Sequence, residues 1–175
     1  MEIGILLLRV VLALILFAHA TQKLVGWFTG NGLHKQGEIF ATLGLRPGRA
    51  MVLAVGVSEL LAAGLLLFGF LTPLGALVAA GTMAVAGATM QLNSGNFFNL
   101  GGGGEYPYVL AAVAAALGFT GAGAYSVDAL LFAGAHGVGA LLYQPTAWVG
   151  MLILFVALLA VVPFALIVKR SAASR

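Results

Sequence analysis

Residues 51–90, MVLAVGVSELLAAGLLLFGFLTPLGALVAAGTMAVAGATM, decide the fold. A helix that crosses a bilayer needs roughly 20 mostly apolar residues. This stretch supplies two such runs, Met51–Phe70 and Pro73–Met90, and Glu59 is the one charged side chain in either. Only Leu71 and Thr72 part the runs, so the two helices must form a tight antiparallel hairpin. Thr72 is expected to cap the helix that opens with Pro73. Small residues recur along the second run at Gly75, Ala79, Ala80, Ala84 and Ala88, a pattern that lets neighbouring helices approach closely.

The flanking sequence repeats the theme. Ile3–Val25 and Trp148–Val168 are long and apolar, and Tyr106–Gly123, rich in Ala and Gly, is long enough to cross. In all 175 residues, 62% are hydrophobic and 7% charged, with a mean hydropathy of +1.10. An aqueous domain so poor in charge would expose a large apolar surface and aggregate, so the bilayer is the solvent. The formal charge of +3 comes from dispersed Lys and Arg, several within apolar runs, which argues against nucleic-acid binding. With no cysteine the chain can form neither a disulfide nor a thiolate metal site.

The connections carry their own signals. His34–Leu45 sets Lys35 and Glu38 among Ile39, Phe40 and Leu43, which fits a short amphipathic helix at the membrane surface. Asn93–Leu100 followed by Gly101–Gly104 reads as a flexible polar connection, without the Gly-Lys-Ser/Thr of a phosphate loop. Val127–Tyr143 is apolar but broken by glycine, and is expected to be an interfacial or re-entrant helix capped by Asp128, or a plain loop, rather than another span. Ala18-His19-Ala20 resembles a signal-cleavage site, but Glu2 and Arg9 suit an uncleaved first helix better. Basic residues gather in the first loop, at Lys35, Arg46 and Arg49, and after the last span, at Lys169, Arg170 and Arg175. Five crossings put both groups on one face, which the positive-inside rule makes cytoplasmic.

Charges inside a span cost several kcal/mol at the helix centre, so they face the bundle interior beside a partner. Arg9, His19 and Lys23 form one polar stripe on the first helix. Glu59, counted from the first-loop side, falls at the depth of Leu16 to His19, so a pair with Lys23 or His19 is expected. Asp128 is delivered to the Arg9 end, and Glu105 starts its helix on the face where Lys23 lies, its carboxylate suiting the positive helix end. His19, His34 and His136 belong to no His-Glu-x-x-His element, and no metal site is expected. Trp27, Trp148 and Tyr143, at the ends of spans, read as interfacial anchors.

Leu8-Arg9-Val10, His19, Gln22-Lys23-Leu24, Ser58-Glu59-Leu60 with Gly64, Gly104-Glu105-Tyr106 and the run from Gly121 to Ser126-Val127-Asp128 stand in an order and spacing that resembles the DoxX family of bacterial membrane proteins, over about residues 5 to 130. The resemblance implies an all-α membrane protein with a four-helix transmembrane core over residues 1–130. Residues 131–175 then add the interfacial or re-entrant segment and a further C-terminal transmembrane helix. Ala122 stands where the family often has Pro, and the last helix lies beyond the common core.

The resemblance further implies a multi-pass protein of the bacterial inner membrane, related to the DoxD-like subunits of thiosulfate:quinone oxidoreductases. A role follows as an accessory subunit of an oxidoreductase complex dealing with oxidative stress. Glu59 and Lys23 would be its catalytic pair, holding a quinone oxygen or relaying a proton, and His19, Arg9, Glu105 and Asp128 its polar interior. Electrons would come from a soluble redox enzyme, and a homo-oligomer is compatible. Two other functions stay open. The chain could be a non-catalytic scaffold or assembly factor whose ion pairs only fix helix register, or a small transporter, although it shows no convincing internal repeat.

Overall fold

The computed structural model describes residues 1–173, and among these it is helical without a strand. The helices are α1 (Glu2–Leu24), α2 (Gly32–Thr42), α3 (Gly48–Phe68), α4 (Thr72–Ser94), α5 (Glu105–Thr120), α6 (Val127–Phe132), α7 (Val138–Tyr143) and α8 (Ala147–Ala173). Four of them, α1, α3, α4 and α8, are long and apolar enough to cross a membrane. The protein is therefore an all-α membrane protein with a C-terminal spanning helix.

The chain ends its helices where backbone chemistry demands it. α3 stops at Gly69, which takes a left-handed φ of 61°. The N–H groups of Gly69 and Phe70 return to the carbonyls of Leu66 and Leu65, a Schellman closure that satisfies two terminal acceptors. α4 begins only three residues later, so the predicted hairpin is present. Its cap is not Thr72, which makes no side-chain cap hydrogen bond. The carboxylate of Asp128 takes that role from far along the chain, accepting from the N–H of Leu71 at 2.7 Å and of Thr72 at 2.8 Å. Two carboxyl oxygens can satisfy two of the orphan N–H groups at this helix start at once, which a single hydroxyl cannot.

That placement changes the reading of residues 127–143. They form two short helices, α6 and α7, rather than one, because Gly134 and Gly137 adopt positive φ between them. The cap of α6 is Ser126, whose hydroxyl accepts from Ala129 N–H at 3.0 Å, while Asp128 points away towards α4. The amphipathic α2 forms where its pattern placed it. The polar connection after α4 is a structured turn: Asn99–Gly101 is a single 3-10 turn, and Glu105 N–H closes on the Phe97 carbonyl at 3.0 Å.

Packing closes α1, α3, α4 and α5 into a ring, each against the next and α5 against α1. Leu12 and Leu16 of α1, Leu66 of α3, Met83 of α4 and Leu117 of α5 fill its core. α8 lies outside the ring on α4 and α5. Half of the α4 span is buried against 17% for α8, so α4 is the central helix and α8 the most lipid-facing. The small residues make this possible: Gly75, Ala79, Ala80, Ala84 and Ala88 are all buried. A Cβ on Gly87 would come within 2.7 Å of the Tyr108 ring of α5.

α5 is shorter than the expected Tyr106–Gly123 span. Its 16 residues reach about 24 Å, against a hydrocarbon core of about 30 Å. The helix ends at Gly121, whose φ of 73° a helix cannot use. It nonetheless carries the chain from one end of the bundle to the other. A Cβ on Gly44, in the loop after α2, would lie 2.7 Å from Ser171 Cβ near the end of α8. The first loop and the C-terminal end of α8 therefore share one end of the bundle, with Lys35, Arg46, Arg49, Lys169 and Arg170 all exposed there. Arg175 lies outside the described residues.

Candidate functional site

α1 and α3 are antiparallel neighbours, and their register follows from Gly56, where a Cβ would meet the Leu24 side chain at 2.6 Å. That level brings Lys23, one residue before Leu24, against Glu59, one turn deeper on α3. The ammonium donates to both carboxylate oxygens, at 2.8 and 2.9 Å, and to the His19 carbonyl at 3.3 Å. All three N–H bonds of the ammonium are thus engaged. The Glu59 side chain is 0% exposed and that of Lys23 19% exposed, so the carboxylate is the more deeply buried member of the pair. Glu59 lies about 16 Å along α3 from its start, near the middle of the helix. Lys23 comes from the last turn of α1, where its charge also suits the negative helix end.

The pair forms part of the wall of a cavity of about 1170 Å³. His19 and Gln22 of α1, Ser58 of α3 and Tyr106 of α5 add polar groups around the pair. The His19 and Tyr106 rings meet at 5.8 Å between centroids, bringing α1 and α5 together at the same depth. The rest of the wall is largely apolar, from Leu77 and Val78 on α4 to Val156 and Phe164 on α8, with Phe40 of α2 at the loop end. A roomy apolar chamber with a few converging polar groups is the usual form of a small-molecule site.

The other sequence-selected residues lie elsewhere. Glu105 opens α5, but its carboxylate accepts from Asn99 N–H at 3.0 Å and holds the preceding turn; it neither reaches Lys23 nor lines the cavity. Arg9 and Asp128 lie at the opposite end of the bundle. The Arg9 side chain is 1% exposed and donates from Nη2 to the Tyr125 carbonyl at 2.7 Å. Its Nη1 lies so close to Gly69 that a Cβ there could not be accommodated. Asp128, also buried, has both oxygens committed to α4 and donates its own N–H to the Gly69 carbonyl at 2.9 Å. Arg9 and Asp128 thus join the α1 side, the α3–α4 turn and the segment before α6 into one knot.

The first-helix stripe therefore does meet a carboxylate at the Lys23 end, whereas at the Arg9 end the direct acceptor is a backbone carbonyl. Among the described residues no group of three or more His, Asp or Glu side chains is arranged to hold a metal ion. His34 instead sits near Glu38 on the exposed face of α2, at 3.3 Å. Tyr106 was not singled out as a site residue from sequence; it entered only as the start of a predicted span and next to Glu105 in the Gly104-Glu105-Tyr106 run.

Comparison with known proteins agrees with the first half of this architecture. No curated protein and no solved structure matches the chain. Residues 4–92, which hold α1 to α4 almost to its end and both members of the Lys23–Glu59 pair, match the DoxX family model. On that match, which covers half of its length, the chain belongs to the DoxX family.

Proposed function

We propose that this DoxX protein is the membrane subunit of a redox complex in a bacterial inner membrane, and that the Lys23–Glu59 cavity receives a quinone. The observation that carries the reading is the ion pair at mid-helix depth in the wall of a large, mainly apolar cavity. A membrane protein keeps a buried acid and base only against a solvation cost, and such positions are functional by default.

The residues fit a quinone. The headgroup needs an apolar slot and a donor for each carbonyl oxygen; Leu77, Val78 and Leu110 line the slot and the Tyr106 hydroxyl is one donor, while the Lys23 ammonium would serve as the other by giving up its 3.3 Å bond to the His19 carbonyl. When bound, a quinone accepts two electrons and two protons. The part of this chain would be to hold the oxygens and to move protons at Glu59 Oε1 and Oε2, with Lys23 setting the carboxylate in place. The electrons would come from a soluble partner enzyme. The basic end of the bundle, with Lys35, Arg46, Arg49, Lys169 and Arg170, would face the cytoplasm by the positive-inside rule and offer that partner its docking side.

A second reading has its own support. Every Lys23 N–H is already engaged, as in a lock that fixes α1 against α3, which suits a non-catalytic scaffold. Glu59→Gln separates the two, because it keeps the shape and a hydrogen-bond acceptor but cannot take up and release a proton as a carboxylate does. In membranes where the variant is as abundant as the parent, the redox reading expects quinone-linked activity of the complex to disappear. Activity that merely tracks abundance would establish the scaffold.

A further inference from the structure

The cavity is not confined to the inside of the four-helix ring. Its wall continues along the α3 face of Met51 and Val55 and the α8 face of Val156, Ala160 and Phe164, with α4 between them. α3 and α8 each pack on α4, yet α8 makes no comparable contact with α3. A cleft therefore runs between α3 and α8 along the bundle side, and α2, packed on α3, closes its loop end with Phe40. α8 also contains Pro163, which removes the hydrogen bond to the Leu159 carbonyl between the two wall residues Ala160 and Phe164. The helix is weakest where it borders the cleft.

The charge of the cavity wall restricts what can enter. Among the described residues that line it, Lys23 and Glu59 are the Lys, Arg, Asp or Glu side chains, and they are paired with each other. A charged headgroup would find no counter-charge there, and burying an uncompensated charge is costly. The largely apolar wall between Val55 and Val156 suits a hydrocarbon tail instead.

We infer that the α3–α8 cleft is a lateral portal through which an uncharged amphiphile dissolved in the bilayer reaches the Lys23–Glu59 pair, and that α8 sets its width. The inference rests on reading the cavity as a ligand site. α8 lies wholly outside residues 4–92, so the portal wall is supplied by a part of the chain that the family match does not include.

The natural chain has no cysteine, so a single introduced thiol can be modified after the protein has folded. Ala160→Cys is purified into lipid nanodiscs and reacted with a bulky thiol reagent, and binding of a neutral benzoquinone with an isoprenoid tail is measured before and after. Leu152→Cys, on an exposed position of α8 away from the cavity, receives the same reagent as control. The portal predicts that modified A160C binds the probe roughly 5- to 150-fold more weakly, the range that overfilling a packed site produces, with L152C unaffected. If modified A160C binds as before while Glu59→Gln abolishes binding, the portal is overturned and the ligand site stands. If the probe does not bind the unmodified protein, the ligand site falls and the portal with it. Equal binding of a probe carrying an anionic headgroup would overturn the requirement for an uncharged one.

Discussion

Gly69→Ala should be among the most damaging single-methyl additions this protein can suffer, and its size can be worked out from two separate causes. Gly69 has a φ of 61°, so any Cβ there carries the left-handed penalty of about 1–2 kcal/mol. The added carbon would also occupy the space of the buried Arg9 Nη1 and lie 2.6 Å from Ser126 Cβ. Arg9 would have to move, and with it the hydrogen bond from Nη2 to the Tyr125 carbonyl. A hydrogen bond to a charged group contributes about 1.5–3 kcal/mol, so with the left-handed penalty the total cost is about 2.5–5 kcal/mol. Gly95→Ala isolates the first cause, since Gly95 has a φ of 72° with nothing within 4 Å of a built Cβ. Its expected cost is about 1–2 kcal/mol. Reversible unfolding in bicelles, titrated with denaturing detergent, measures both. Equal losses for the two variants would refute the argument that Arg9 is pinned against Gly69.

Further consequences follow from the same contacts. Asp128→Ala should cost about 1–2 kcal/mol for the lost α4 cap alone and should open the α3–α4 turn to hydrogen exchange, with protection at Leu71 and Thr72 falling first. Lys23→Met should destabilise by about 3–5 kcal/mol because it strands a buried Glu59, and the double variant with Glu59→Leu should recover most of that loss in a double-mutant cycle. Gly87→Ala should cost about 1–3 kcal/mol by driving into Tyr108, whereas Gly81→Ala should change stability by at most about 0.5 kcal/mol, because the nearest atom to its Cβ, on Ala157, is 4.0 Å away.

The spans were legible because their signal is compositional: a run such as residues 51–70 has no other stable solvent. The pairing of Lys23 with Glu59 was legible for a similar reason, since antiparallel neighbouring helices leave few depths at which a buried carboxylate can find a cation. What escaped the sequence depended on contacts far apart in the chain. Nothing near Thr72 announces that Asp128, 56 positions away, will cap α4 in its place. Glu105 looked like an interior carboxylate because it opens a helix, but a local backbone N–H at Asn99 captures it first. The cavity itself was invisible, because its walls come from α3, α4 and α8, and the gap between α3 and α8 is set by how α8 packs on α4 and α5. That packing rests on small residues such as Gly118, against which Ile153 sits, and no local pattern states which helix will fill such a groove.

Whether the Lys23–Glu59 cavity serves a quinone-linked complex is decided by purification from the native membrane in mild detergent, with mass spectrometry of co-purifying proteins and quantitation of extractable quinone in one sample, for the parent and for Glu59→Gln at matched abundance. The parent should retain quinone together with a soluble redox enzyme in fixed proportion, and Glu59→Gln should lose the quinone while keeping the enzyme. A parent that carries neither quinone nor a redox enzyme would contradict that role.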